Sequence, residues 1–288
     1  MTKSYLIASN ASMPTQHQVY IPSLGLRPFI RCYLDVQMGV AGESVRCLLP
    51  AKTEQCIYVS TGDIPSLRTV GDPQEMISDK YCCTVRGAVG SSCLQLSTSG
   101  LLSMFVIVFY PGAFFRFFGI PAAHFSDMFT EAGTALGMHW EELGLLIRET
   151  PDGARRVALA EQCLQRLYNP VHRMRSIDEI LTGLTNSYDL PVHQLAKRSF
   201  LSERQFRRSF LERTGLSPQN FLRVARANKA LQMKTQRPWL SWRSISLNTG
   251  YTDASHLSRD MKQLMGLSSP GSEMFLDVEG TPFRIADA

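Results

Sequence analysis

Residues 195–218 read LAKRSFLSERQFRRSFLERTGLSP and residues 245–270 read ISLNTGYTDASHLSRDMKQLMGLSSP. The two stretches share one pattern about 50 positions apart, with a one-residue slip in the turn. Leu195-Ala196, Ser202, Phe206, Arg208, Phe210 and Gly215-Leu216-Ser217 return as Ile245-Ser246, Asp253, Leu257, Arg259, Met261 and Gly266-Leu267-Ser268. In each copy a short apolar helix meets a second helix that opens at a capping Ser or Asp and closes at Gly. Two copies are too few for a solenoid, which leaves a duplicated helix-turn-helix unit.

Within the first copy, Phe206 and Phe210 form a buried stripe, with Leu211 at its margin. Glu203, Arg204, Gln205, Arg207 and Arg208 are left outside. Three arginines near a helix N-terminus suit insertion into a major groove, where an Arg fork matches guanine or phosphate and Gln pairs with adenine. Arg204 sits to read a base, and Arg208 sits on the flank where phosphate contacts are made. In the second copy Ser244 to Asn248 reads as the short helix, and the helix after it buries Leu257, Met261 and Leu264 and exposes Ser255, His256, Arg259 and Lys262, of which Arg259 is the phosphate partner. Between the copies Ser217 caps and Pro218 opens a helix to about Lys234, long enough to serve as a strut.

Charge agrees with this placement. Residues 176–270 hold 14 Lys and Arg against 7 Asp and Glu, a surplus of seven in a chain of net +5, so the remainder sums to −2. A localised basic surplus is the footprint of a polyanion-binding domain, because association with phosphates releases counterions.

At 288 residues and 44% apolar content, the chain has material for about two domains, and disorder is excluded. Val45 to Leu49, Gln55 to Ser60, Tyr81 to Val89 and Ser103 to Tyr110 read as strands between turn clusters, which predicts a mainly antiparallel sheet or barrel. After Pro111-Gly112 the apolar period lengthens toward 3.6 and helices follow; the Phe114, Phe115, Phe117 and Phe118 cluster reads as core. Asn169-Pro170 stops the last of these helices. Ser176 with Glu179 predicts a capping box that starts the next. The expected fold is thus α+β, with an N-terminal sheet and its helices over residues 1–170 and an all-α domain with two helix-turn-helix units over residues 176–288.

Seven cysteines lie outside the basic region, none in a Cys-x-x-Cys clip. Their odd number, and the absence of a leader-like pattern at Met1 to Pro14, point to reduced thiols in a cytoplasm. The run Met104 to Tyr110 is too short to cross a bilayer, so no membrane partner is expected. No cofactor or metal is called for, since no Gly-x-Ser-x-Gly elbow, P-loop or paired carboxylate motif is present.

The chain resembles the AraC family of bacterial transcription regulators. The resemblance rests on Leu195-Ala196, Ser202, Phe206, Arg208, Phe210, Gly215-Leu216-Ser217-Pro218, Phe221, Arg226, Ala230-Leu231, Ile245, Gly250-Tyr251, Asp253, Ser255, Arg259, Lys262, Gly266 and Pro270. It implies seven helices with two recognition helices, double-stranded DNA as partner, and an N-terminal domain for effector binding, dimerisation or both. RNA polymerase and a second copy of the chain are further candidate partners, and the effector is open. Departures from the family pattern are Leu257 for an aromatic, Ser246 for an alanine, and Gly271-Ser272-Glu273-Met274 for an aromatic-Arg ending. Leu26-Arg27-Pro28-Phe29-Ile30, Leu49-Pro50 and Phe109-Tyr110-Pro111-Gly112 resemble an uncharacterised sensor-type domain. The sequence leaves two alternatives: a fusion to a DNA-repair methyl-transfer enzyme, whose zinc-cysteine cluster the spacing does not fit, and a protein-protein adaptor with a degenerate DNA module.

Overall fold

The computed structural model describes residues 3–6, 15–38, 45–69, 75–76, 81–98, 100–168, 174–184, 190–266, 275–276 and 282–285. The strands are β1 (Lys3–Leu6), β2 (Thr15–Tyr20), β3 (Ile30–Met38), β4 (Val45–Leu49), β5 (Cys56–Ser60), β6 (Ser66–Thr69), β7 (Glu75–Met76), β8 (Cys83–Arg86), β9 (Leu94–Thr98), β10 (Leu102–Phe109) and β11 (Phe129–Glu131). Helices α1 (Ala113–Phe118), α2 (Ala132–Leu136), α3 (His139–Glu149) and α4 (Gly153–Leu167) complete the N-terminal part. Then come α5 (Ser176–Gly183), α6 (Val192–Arg198), α7 (Glu203–Thr214), α8 (Pro218–Gln236), α9 (Trp242–Asn248), α10 (Ala254–Met265), and the strands β12 (Phe275–Leu276) and β13 (Pro282–Ile285).

Strand β10 organises the molecule. Its sequence LSMFVIVF is apolar save one serine, and all eight residues are buried. Side chains alternate across a strand, so this run feeds two cores. Met104, Val106 and Val108 face Leu49, Leu67, Leu94 and Leu96, and the same cluster takes in Val224, Ala227, Ala230 and Leu231 of α8 with Leu257, Met261 and Leu264 of α10. Phe105, Ile107 and Phe109 face the other way, onto Phe114 and Phe117 of α1, Trp140, Leu143 and Ile147 of α3, and Ala160 and Leu164 of α4. The phenylalanine cluster after Pro111-Gly112 is core, as its spacing predicts.

Pairing is antiparallel throughout the described ladders, in the orders β1-β2-β3-β10-β5-β8-β11 and β12-β13-β4-β9-β6-β7. Both sheets stay open, so the sheet expectation holds and the barrel alternative does not. The strand expected over Tyr81 to Val89 is shorter, Cys83–Arg86. The stretch after Asn169 and the ending beyond Pro270 that departs from the family pattern lie outside the described residues, apart from β12 and β13.

The C-terminal helices are fastened to the sheets by backbone as well as by apolar contact. Ala51 N donates to Leu264 O at 2.8 Å and Cys93 N to Gln263 O at 3.1 Å, so loop amides satisfy carbonyls at the end of α10 that have no partner within the helix. Gln55 Nε2 donates to Thr214 O at 2.8 Å and Ser126 Oγ to Gly215 O at 2.5 Å, which does the same for α7.

Candidate nucleic-acid interface

Both helix-turn-helix units form where the caps place them. In the first, Ser202 Oγ accepts from Gln205 N and Gln205 Oε1 accepts from Ser202 N at 3.2 Å, a reciprocal capping box at the start of α7. Gly215 ends that helix at φ +78°, and a Cβ there would lie 2.6 Å from Ser126 Oγ and 3.0 Å from Ala122 O. Only glycine meets both demands. Phe206 and Phe210 are fully buried, their rings 5.4 Å apart, and Phe210 meets Phe221 of α8 edge-on at 5.2 Å. In the second unit Asp253 Oδ1 accepts from His256 N at 2.7 Å, and Gly266 closes α10 at φ +70°.

Three local expectations are corrected. Leu211 is exposed, because the apolar stripe of α7 is already complete with Phe206 and Phe210. Ser176 does not cap α5: Asp178 Oδ2 accepts from Arg175 N at 2.8 Å, and the freed Ser176 hydroxyl donates to Ser199 O at 2.6 Å. Helix α9 starts at Trp242 rather than Ser244, since Ser241 Oγ accepts from Ser244 N at 3.1 Å.

The residues expected to face DNA divide by how committed they are. Arg204, Arg208, Arg259 and Lys262 are exposed and form no hydrogen bond or ion pair among the described residues. Glu203 and Ser255 are exposed beside them at the first turns of α7 and α10. Arg207 is engaged, donating to Gln219 Oε1 at 2.6 Å and lying 3.6 Å from Glu203. Gln205 is exposed, but its carbonyl oxygen serves the cap, so a bidentate contact to adenine would require it to leave Ser202. His256 is half-buried, edge-on to Tyr251 at 5.2 Å and 3.9 Å from Asp260 Oδ2.

Beneath each recognition helix sits an Arg-carboxylate pair that the sequence pattern does not show. Arg213 Nε donates to Asp178 Oδ1 at 2.8 Å, and its guanidinium lies 4.9 Å from the centre of the Phe115 ring in α1. In the second unit Arg223 Nε donates to Asp260 Oδ1 at 2.8 Å and Arg223 Nη2 to Gln263 Oε1 at 2.8 Å, while Tyr251 Oη donates to Asp260 Oδ2 at 3.1 Å. Burial, with the Asp260 carboxylate as second cause, pushes the Tyr251 phenol upward and keeps it a proton donor in this network. The 19 residues of α8, about 28 Å of helix at 1.5 Å each, stand between the two units.

In the sheet region a cavity of about 70 Å³ is walled by Leu34, Val36, Met104 and Val106 and rimmed by Lys52 and the Arg31–Glu54 ion pair, 2.7 Å long. Among the described residues no His, Cys, Asp and Glu cluster is arranged to hold a metal ion, and no helix is long and apolar enough to cross a membrane. Four of the cysteines point away from a reactive role. Burial pushes the Cys56 thiol up to about 11, and Cys82, Cys83 and Cys163 upward as well, the reverse of what an activated thiolate needs.

Two tandem capped helices on one strut define a double helix-turn-helix reader. Residues 195–270 match the helix-turn-helix domain family, and this part of the chain is a helix-turn-helix domain of the AraC type. Residues 18–131 match a domain family of unknown function. The sequence matches no curated protein. Among solved structures the chain is similar to ToxT from Vibrio cholerae O395, at 10% identity and TM-score 0.43, over 79% of this chain and 95% of that one. It is similar also to a 1.65 Å structure of ToxT from Vibrio cholerae, at 10% identity and TM-score 0.45, over 89% and 96%. A third is the unsaturated fatty acid bound wild-type ToxT from strain SCE256, at 10% identity and TM-score 0.44, over 92% and 95%.

Proposed function

We propose that this protein is a sequence-specific DNA-binding transcriptional regulator whose residues 176–288 read duplex DNA and whose residues 1–170 receive the controlling effector. The observation that carries the reading is the set of uncommitted cations, Arg204 and Arg208 on α7 with Arg259 and Lys262 on α10, displayed at two capped helices joined by one rigid helix. Glu203, Gln205, Arg207, Ser255 and His256 complete the proposed contact surface. The first helix dominates specificity, since Arg204 is free to form a bidentate base contact while His256 is held toward Asp260. RNA polymerase and a second copy of the chain are the protein partners to be sought.

The sheet cavity is the natural place for a small effector. At about 70 Å³ it is roughly half the volume of the apolar cavity of about 150 Å³ known to admit benzene, so it must widen to take an organic ligand. Its walls join the sheet to the cluster that holds α8, so such widening would be felt at the strut.

Mobility-shift titrations of the full chain against genomic fragments test the reading. A small subset of fragments should bind far more tightly than the rest, and affinity should fall steeply with salt as phosphate counterions are released. Equal affinity for all fragments at physiological salt, or a flat salt response, would overturn it.

A further inference from the structure

A second cavity, of about 200 Å³, lies where the N-terminal part meets the first helix of the DNA-reading part. One wall is the β10-α1 elbow, Tyr110 to Ala113, with Arg116; the second is Arg27 and Pro28; the third is Asp178 and Thr182 of α5. The contact around it is close: Gly112 has φ +79°, and a Cβ there would fall 2.6 Å from Leu181 Cδ1 of α5.

Its charges are unbalanced. The Arg116 side chain forms no hydrogen bond or ion pair among the described residues, and its Nε is sealed from solvent while the guanidinium lies over the Phe29 ring at 4.9 Å. Arg27 is anchored through Nε to Pro22 O at 3.1 Å, which leaves its terminal nitrogens open. The one carboxylate in the lining, Asp178, is already committed on both oxygens, to Arg213 Nε and to Arg175 N, each at 2.8 Å. The net field in the cavity is therefore positive. A buried N–H donor without a partner is destabilising relative to one that is satisfied, and a guanidinium fork is matched best by two oxygens of one anion.

We propose that this junction cavity binds a small organic anion, carboxylate or phosphate, between Arg116 and Arg27. Its volume exceeds the roughly 150 Å³ that admits benzene, so an acidic group with a compact organic body fits, whereas a long chain does not. The site is separate from the sheet cavity, with which it shares no lining residue. A ligand here touches both the elbow and α5 and so strengthens the union of the two parts. Only that regulatory consequence rests on the DNA-binding reading; the binding itself does not.

The test needs no DNA. Full-length protein is titrated with inorganic phosphate and, separately, with benzoate, against sodium chloride at equal ionic strength, by calorimetry and by melting temperature. Saturable binding of at least one probe above the chloride reference is expected; phosphate identifies a phosphate ester as the natural class, benzoate a carboxylate. Arg116→Gln should weaken that binding at least tenfold and Arg27→Gln should weaken it less, while Arg155→Gln, on the exposed face of α4, should bind as the parent does. No saturable response to either probe, or unchanged binding by both Arg116→Gln and Arg27→Gln, overturns the proposal. Arg27 is exposed, and if Arg116→Gln does not fold, unchanged binding by Arg27→Gln alone overturns the proposal.

Discussion

Arg213, at the end of α7, and Asp178, in α5, meet at 2.8 Å with side chains only 3% and 2% exposed. The pair joins residues 35 positions apart and passes its cation to the face of Phe115, so the orientation of α7 is tied to both parts of the molecule. Removing one partner of a buried pair leaves the other charge poorly compensated, here with only the partly exposed Glu212 carboxylate left, 3.5 Å from Arg213 Nη1. Asp178→Ala should therefore lower unfolding stability by about 3–5 kcal/mol. A urea midpoint within error of the parent would show that water replaces the carboxylate.

Arg204→Ala should cost about 1–3 kcal/mol on the preferred sequence and relax preference at one base position, because its guanidinium is free to read a base. Arg208→Ala and Arg259→Ala should weaken all sequences alike. Binding profiles over a randomised site separate the two behaviours. A loss of affinity in Arg204→Ala with the preferred sequence unchanged would make Arg204 a phosphate contact.

Phe200 sits in the turn of the first unit at φ +53° and 90% exposed, where the second unit has Gly250 at φ +74°. A left-handed backbone costs an L-residue about 1–2 kcal/mol, and glycine is spared this. Phe200→Gly should raise the melting temperature by a few degrees, with part of the gain offset by the greater freedom of glycine in the unfolded chain. An unchanged or lower melting point would mean that the turn relaxes around the phenylalanine.

Alkaline pH should destabilise the fold only as it rises beyond the ordinary thiol range. Burial raises the Cys56 thiol from about 9 to about 11 in the folded state. A group whose folded pKa is raised contributes stability that is complete below its unfolded pKa and is lost as pH rises through the folded value. Urea midpoints should hold up to about pH 9 and fall between 9 and 11, and Cys56→Ala should lessen the fall. At pH 8 iodoacetamide should leave Cys56 unmodified until the protein is unfolded, and rapid modification of the native protein would contradict its burial.

Much of this site is legible in the sequence because caps are local chemistry. Ser202 with Gln205, Ser217 before Pro218, and Asp253 each act within three residues, so their positions can be read without the fold. Ser241 follows the same rule and could have been found from Ser244 three positions on. The strands of β4, β5 and β10 are legible as apolar runs, but the division of β10 between two cores is not, since both of its faces carry apolar side chains. The Arg-carboxylate pairs are hidden for a different reason. Asp178 reads as an ordinary acidic residue in the first turn of a helix, and nothing in the chain near it announces an arginine 35 positions away. The double duty of Gln205 is hidden too, because a side chain that caps and one that reads DNA occupy the same exposed position.

The apolar cluster shared by β10, α8 and α10 also bears on how the chain is made. Val106 precedes Val224 by 118 positions, so at about 5–20 residues per second the sheet leaves the ribosome roughly 6–24 s before the helix that covers it. During that interval the cluster has its sheet residues but lacks the apolar side chains of α8 and α10, and a nascent chain in this state is a natural client for chaperones. A gene truncated before α8 would then yield an aggregating fragment in place of a free-standing N-terminal domain, and the C-terminal helices serve as part of the cover that keeps the sheets from sticking to their neighbours.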